Sequence, residues 1–414
     1  MKKALILIFY ISAFFMPWGE GMQHVFSKAS TVFPICCALI IFICLFFKIH
    51  LFTRLPKSFK IFVYFLLFHT FLFIFFNPEL LTFGTVDVVE RGNGFSIGKT
   101  SMGDSIMKLV LFILYGCFLT KCLSNKIISV LKYSLFYAAG FSATILLGGF
   151  SNDYGGTLRI SGGLSDPNAM AVDALVAFSL SWFIFKEAYN KKIYRYIGLT
   201  NSAIACYAIL MSFSRGAMIA LVVMLFIYMS RRYNVMKMAF ALIAVAVIVY
   251  MGYEVFTPSD IKDTLQMRFS LKEIKESGGA GRTDIWIAYL LRWPYYFVTG
   301  TGYDNCNSVL INHREGLTIS LNYVTHNQYL LYFVEQGIIG AILYISYIIF
   351  GFKLIHRISG ANLCLVLPFI GYAFATFFVN LSNGRTLWLI FALVNYIYLL
   401  NKLGYENFSI RTIK

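Results

Sequence analysis

The feature of this sequence that most limits its fold is a succession of long apolar runs. A helix that crosses the roughly 30 Å hydrocarbon core of a membrane needs about 17–25 mainly apolar residues, and the chain offers about twelve candidate runs on that criterion. They cover residues 3–19, 30–48, 60–77, 105–121, 128–149, 168–185, 194–213, 215–230, 236–256, 327–351, 361–380 and 386–401. Hydrophobic residues make up 59% of the 414 residues and charged residues 13%, which is too little polar surface for a water-soluble domain. The sequence therefore predicts an all-α, polytopic membrane protein.

Lysine and arginine indicate how these spans are oriented, because cytoplasmic loops of membrane proteins collect basic residues. With twelve spans, the basic segments all fall on one side: 2–3, 48–60, 121–132, 186–195, 231–237, 353–357 and 402–414. The first run resembles a signal peptide, but no small-residue cleavage site follows it, so we interpret it as the first span. We therefore predict a single integral domain over 1–414, with both termini in the cytoplasm.

The longest segment on the opposite side of the membrane is 257–325, between the ninth and tenth spans. It begins with charged residues around Lys272 to Glu276, which predict a short helix before Gly278. It continues with an amphipathic, aromatic stretch from Ile285 to Phe297 that is too short to span. We expect this stretch to lie flat at the membrane interface or to re-enter it.

The formal net charge of +16 has two explanations. The cytoplasmic loops account for part of it, and an anionic substrate would account for arginines on the opposite side. Nucleic acid is not an expected partner, because the chain has no soluble basic domain. No P-loop, dinucleotide fingerprint or metal-ligand spacing is present in the sequence, so we expect no cofactor and no metal.

Arginines on the predicted outer side are candidates for binding an anion. Arg215 lies between two apolar runs with almost no loop, where it must either snorkel to the interface or face a water-filled cavity. Arg282 opens the amphipathic stretch, and Arg159 precedes a turn-rich entry to the sixth span; the simpler alternative is that both pair with nearby aspartates. Arg385 is a weaker candidate of the same kind. Planar guanidinium groups that converge on one face would suit a pyrophosphate, whose oxygens they bind in pairs.

His326 is the best single candidate for catalysis, because it lies where the long outer loop meets the tenth span. Thr325 is expected to cap that helix and to place His326 in its first turn. The positive helix end would then keep the imidazole neutral and able to accept a proton from a sugar hydroxyl. The alternative is an interfacial histidine that only hydrogen-bonds the helix end.

A distinctive run follows His326 along the same predicted helix. Asn327 comes next, and Glu335, about two turns further on, is expected to face the interior of the bundle or to pair with an arginine. Gly337 and Gly340 are expected to allow close packing of helices.

Taken in order, these motifs resemble the O-antigen ligase and O-antigen polymerase family of bacterial inner-membrane proteins. The resemblance extends over roughly residues 150–350. The pieces that carry it are 214–217, 281–286, 300–303, 326–330 and 335–340.

The resemblance implies a GT-C-like fold and a glycan donor linked to undecaprenyl pyrophosphate. It implies metal-independent, inverting transfer by a glycosyltransferase whose active site is periplasmic. By position, Arg215 and Arg282 would contact the pyrophosphate, with Arg159 as a looser match, and His326 would act as the base or position the acceptor hydroxyl. Supporting roles would fall to Asn327, Glu335 and Tyr303.

Three functions remain open at this point. The segment 165–168 and the composition rich in Phe, Tyr and Ile resemble a polymerase, which extends a lipid-linked repeat unit, more than a ligase, which transfers the glycan to lipid A core. A flippase for lipid-linked glycan would have the same topology, but the sequence shows no internal repeat. The expected partners are undecaprenyl-pyrophosphate-linked oligosaccharide, membrane lipid and a chain-length regulator protein, all at the bacterial inner membrane.

Overall fold

The computed structural model is mostly helical. It describes residues 2–402 apart from 24, 84, 92–94, 125–128, 153–157, 165, 188–190, 232–233, 235–280, 317–318, 320–322, 359–361 and 382–383. The helices are α1 (Lys2–Phe15), α2 (Ala29–Phe46), α3 (Lys57–Phe76), α4 (Met102–Ser124), α5 (Val130–Leu147), α6 (Pro167–Glu187), α7 (Lys192–Met211), α8 (Arg215–Ser230), α9 (Arg282–Leu290), α10 (Ser308–Asn312), α11 (Gln328–His356), α12 (Asn362–Ala375) and α13 (Arg385–Lys402). Two strand pairs lie between helices: β1 (Thr85–Arg91) with β2 (Phe95–Thr100), and β3 (Gly149–Asn152) with β4 (Leu158–Gly162).

The helices follow the apolar runs of the sequence. Each predicted span within the described residues coincides with a helix, whereas the run 236–256 and the charged segment 272–279 lie outside those residues. Among the described residues, six helices are long and apolar enough to cross a membrane: α2, α3, α4, α5, α6 and α11. A multi-pass membrane protein is therefore confirmed, while the count of twelve spans stays a prediction.

Helix α6 lies at the centre of the bundle, packed against α5, α7 and α12. Small residues on α6, such as Ala171, Ala174 and Ala177, are almost fully buried. Gly198 of α7 faces α6 so closely that a Cβ there would lie 2.8 Å from the Ser181 carbonyl oxygen. Small side chains let the backbones of membrane helices approach one another, so this packing holds α6 and α7 in a tight pair.

The all-α prediction needs one correction, because two connections contain antiparallel strands. In the second pair, Phe150 is opposite Ile160 and Ser151 is opposite Arg159. Aromatic and β-branched residues favour extended backbone, and this local preference is not visible in an analysis of long apolar runs. The hairpin directs the Arg159 segment back towards the start of α6.

The long helix α11 is broken at Gly337, which has φ 65° and ψ −171°. The break frees main-chain groups, and three hydrogen bonds use them: Thr301 N donates to Val334 O at 3.0 Å, Gly302 N to Glu335 O at 3.0 Å, and Ile338 N to Phe297 O at 2.8 Å. A Cβ at Gly337 would lie 2.5 Å from Val298 O. The expectation that Gly337 permits helix packing is therefore wrong. The glycine instead allows a loop to contact the helix at its break.

Candidate active site

Arg159 is anchored to the turn between α7 and α8. Its side chain is only 7% exposed, and its Nε donates to the carbonyl oxygen of Ser212 at 2.6 Å. Its Nη2 donates to Asn168 Oδ1 at 3.1 Å. Three residues after Ser212, Arg215 begins α8. The hairpin β3–β4 and the α7–α8 turn thus bring Arg159 and Arg215 to one end of the bundle.

Arg282 reaches the same place from the other half of the chain. It is the first residue of α9, and its guanidinium lies 6.0 Å from the centre of the Phe378 ring. The same ring also packs on the start of α8, where a Cβ at Gly216 would lie 2.8 Å from Phe378 Cδ2. Gly216 therefore allows Phe378 to contact α8 as well as Arg282.

The guanidinium group of Arg282 is affected electrostatically by Arg215 and by Arg159. Burial is the main reason that the pKa of Arg282 is lowered; the positive charge of Arg215 and, more weakly, that of Arg159 lower it further, and the negative charge of Asp166 opposes them. Burial also lowers the pKa of Arg159, and the negative charge of Asp166 again opposes this effect. Half-buried like charges repel one another, and a bound dianion relieves that repulsion while accepting paired hydrogen bonds. This arrangement favours anion binding over isolated surface ion pairs.

His326 lies two positions earlier, relative to the start of the helix, than the sequence predicts. The N-cap of α11 is Asn327, whose Oδ1 accepts from Tyr329 N and Leu330 N, each at 3.0 Å. Thr325, the expected cap, instead donates to Asn327 O at 3.0 Å and to Asn380 Oδ1 at 3.2 Å. His326 therefore stands before the helix with φ 47°. Placing it in the first turn was wrong, because asparagine caps at least as well as threonine.

The His326 segment is held against α9, the helix that begins with Arg282. Trp286 lies one turn after Arg282, and its indole Nε1 donates to Thr325 O at 2.8 Å. The hydroxyl of Tyr289, on the same helix, donates to Tyr323 O at 2.8 Å. One short helix thus ties Arg282 to the peptide that precedes His326. The sequence alone does not predict this link, because the residues that it joins are far apart along the chain.

A cavity of about 370 Å³ opens beside the arginines. Its polar lining includes Asp166, Asp173, Asp304, Glu335, Asn380 and Arg385. Of the expected supporting residues, Glu335 is 2% exposed and lines this cavity, whereas Tyr303 is 1% exposed and packs in the hydrophobic core. Asp173 was missed by sequence reasoning. Its signal was available, since an acidic residue within an apolar span marks a functional position.

Comparison with known proteins bears on these residues directly. Residues 200–345 match the family model described as O-antigen ligase. The resemblance to the O-antigen polymerase and ligase family is thereby confirmed. The matched stretch contains Arg215, Arg282 and the His326 segment, while Arg159 precedes it. No curated protein matches the chain.

The match supports an O-antigen polymerase or ligase activity, and hence a glycosyltransferase-like enzyme. The geometry is suited to such chemistry in a specific way. A glycosyl transfer needs a place for the departing anion, a group that accepts a proton, and space for sugars between them. Within the described residues, Asp166, which acts electrostatically on Arg159 and Arg282, and Asn380, which is hydrogen-bonded to Thr325, both line the cavity.

Proposed function

We propose that the chain is an O-antigen polymerase, a metal-independent, inverting glycosyltransferase with a GT-C-like fold. It transfers an undecaprenyl-pyrophosphate-linked glycan onto a lipid-linked repeat unit at the periplasmic face of the bacterial inner membrane. The observation that carries the proposal is the convergence of Arg159, Arg215 and Arg282, from three separate segments, beside the segment of His326. In this proposal both termini are cytoplasmic, and α9 belongs to the large periplasmic loop 257–325.

The reaction requires one bond to form as another breaks. The acceptor hydroxyl oxygen attacks the anomeric carbon from the side opposite the pyrophosphate, and the bond from that carbon to the pyrophosphate oxygen breaks. The electron pair of that bond leaves with the pyrophosphate, which the three arginines bind. A ring nitrogen of His326 takes the proton from the hydroxyl. Permanently charged guanidinium groups stabilise the departing anion most where water is scarce.

The partners in this proposal are the lipid-linked oligosaccharide, membrane lipid and a chain-length regulator protein; no cofactor is needed. The second candidate is an O-antigen ligase, which would use the same groups on a different acceptor. It is favoured by the description of the matched family model, O-antigen ligase.

A clean deletion, followed by electrophoresis of the surface polysaccharide, separates the candidates. A polymerase deletion leaves one repeat unit attached to the lipid A core. A ligase deletion leaves none attached, and long lipid-linked chains accumulate. A deletion that leaves polysaccharide length and attachment unchanged would exclude both functions. Accumulation of lipid-linked single repeats at the cytoplasmic face would instead indicate a flippase.

A further inference from the structure

The cavity beside the arginines contains unused hydrogen-bonding groups deep in the protein. Asp173, on α6, is 3% exposed and lines the cavity. Its Oδ1 accepts a hydrogen bond from the hydroxyl of Thr386, and Oδ2 makes no hydrogen bond to any part of the chain that the structure describes. A carboxylate can accept several hydrogen bonds, so on the cavity wall this group can bind more than the Thr386 hydroxyl that joins α6 to α13.

Arg385 offers the complementary group on the same cavity. Its guanidinium stacks over Phe33, 5.5 Å from the ring centre, and a Cβ at Gly19 would lie 3.1 Å from its Nη2. These neighbours hold the group in place. Its Nη1 is nevertheless buried and has no hydrogen-bond partner among the described residues. Arg385 as a whole is partly exposed and lines the cavity together with Asp173, so the cavity wall carries a donor group and an acceptor group.

The cavity is also placed next to the reaction centre. Asp166, which acts electrostatically on Arg159 and Arg282, forms one part of its wall. Asn380, which accepts a hydrogen bond from Thr325 next to His326, forms another part. A sugar joined directly to a pyrophosphate at the arginines would lie in this space. The volume of about 370 Å³ falls within the range of about 300–1,000 Å³ usual for small-molecule sites.

We propose, on the basis of the proposed function, that this cavity binds the first pyranose ring of the donor glycan. Each sugar hydroxyl is both a donor and an acceptor. One hydroxyl donates to the Asp173 carboxylate, and the Arg385 guanidinium donates to another ring substituent. Apolar wall residues such as Leu164 and Leu331 contact the C–H faces of the ring. Asp173 and Arg385 thus select a hydroxyl-bearing ring, and the arginine cluster selects the pyrophosphate.

The test compares two lipids on the purified full-length protein in lipid nanodiscs. One is undecaprenyl diphosphate without sugar, and the other is the undecaprenyl-diphosphate-linked repeat unit extracted from the deletion strain. We expect the sugar-bearing lipid to bind the wild-type protein more tightly. Asp173→Asn, which is nearly isosteric, should weaken its binding about tenfold, because a neutral hydrogen bond replaces a charge-assisted one. Binding of the sugar-free lipid should not change.

Two further variants make the result specific. Arg385→Gln should have the same selective effect from the other wall of the cavity, and it keeps the test valid if Asp173→Asn does not fold. Asp284→Asn is the matched control, because Asp284 is an exposed carboxylate on α9 outside the cavity lining. It should bind both lipids as the wild type does. Thermal unfolding of each variant identifies losses that come from misfolding.

Failure of this inference differs from failure of the proposed function. Equal affinity of the wild type for the two lipids would overturn the sugar cavity, as would a folded Asp173→Asn or Arg385→Gln that weakens both lipids equally. Arg282→Ala should weaken both lipids, since it removes a pyrophosphate contact. If the wild type binds neither lipid, the proposed function itself falls.

Discussion

The two ends of the helix bundle both carry positive charge, but they hold it in different ways. At the end predicted to be cytoplasmic, Lys121 Nζ donates to His50 O at 2.7 Å, Arg231 Nη1 donates to His356 O at 3.0 Å, and Arg54 is exposed. These basic groups are near water, and two of them, Lys121 and Arg231, donate to carbonyl oxygens. At the opposite end, Arg159 is buried and Arg282 repels both of its arginine neighbours.

This difference separates a topological signal from a binding site. Exposed basic residues are what the positive-inside rule predicts, and each costs the fold little. Burying arginines beside one another costs free energy that a water-exposed surface would avoid. A ligand of opposite charge is the compensation that such an arrangement is suited to receive. The net charge of +16 is therefore less informative than where the individual arginines are buried.

The strongest test of this contrast is His326→Ala. Loss of a general base typically lowers the rate about 10²–10⁴-fold, so we expect glycan chain extension to be abolished while the protein still inserts. The measurement is the initial rate of polymerisation of lipid-linked repeat units by the purified protein. His50→Ala, at the opposite end, is the matched control and should extend chains normally. Normal long-chain polysaccharide from His326→Ala would remove the catalytic role.

A smaller effect, which tests a more specific interaction, is expected from Arg215→Lys. The charge is kept, but the paired hydrogen bonds of a planar guanidinium to phosphate oxygens are lost. We expect a rate loss of about ten- to hundredfold, equivalent to one or two charge-assisted hydrogen bonds. Arg231 follows the other end of the same helix, α8, so Arg231→Lys is the matched control and should have no effect. Wild-type chain lengths from Arg215→Lys would identify Arg215 as an interfacial anchor.

Gly337→Ala tests the helix break that places Glu335 on the cavity. The substitution forces a side chain into the left-handed region and against Val298 O, so the free energy of unfolding should fall by about 1–3 kcal/mol. Gly316 also has positive φ, at 69°, but a Cβ added there would have no neighbour within 4 Å among the described residues. Gly316→Ala therefore reports backbone strain alone and should lower the thermal unfolding temperature less. Equal shifts would mean that the contact with Val298 is unimportant.

The smallest effect is expected from neutralising the exposed end. Arg54 and Lys121 border a cavity of about 470 Å³ at the predicted cytoplasmic side. We expect Arg54→Gln combined with Lys121→Gln to leave the polymerisation rate of correctly inserted protein unchanged, because these groups contribute to orientation rather than to the reaction. The check is the same rate assay, after protease accessibility has confirmed the topology. A loss comparable to that of Arg215→Lys would erase the contrast between the two ends.

The sequence by itself determined the features that depend on local composition. Apolar runs of sufficient length become helices in lipid because every backbone group must be satisfied within its own segment, and the described helices follow those runs. The short connection before Arg215 was likewise visible in neighbouring residues. The motifs around Arg215, Arg282 and His326 were enough to indicate the family.

Only the tertiary structure decided which distant residues meet. The convergence of Arg159, Arg215 and Arg282 depends on a strand pair, a helix turn and α9 packing at one end of the bundle. The cavity depends on α6 meeting α13, so that Asp173 and Arg385 share one space. Asn327 rather than Thr325 caps the helix because the Thr325 hydroxyl forms hydrogen bonds with other groups. Such outcomes depend on packing between segments far apart in the chain, where local propensity carries no information.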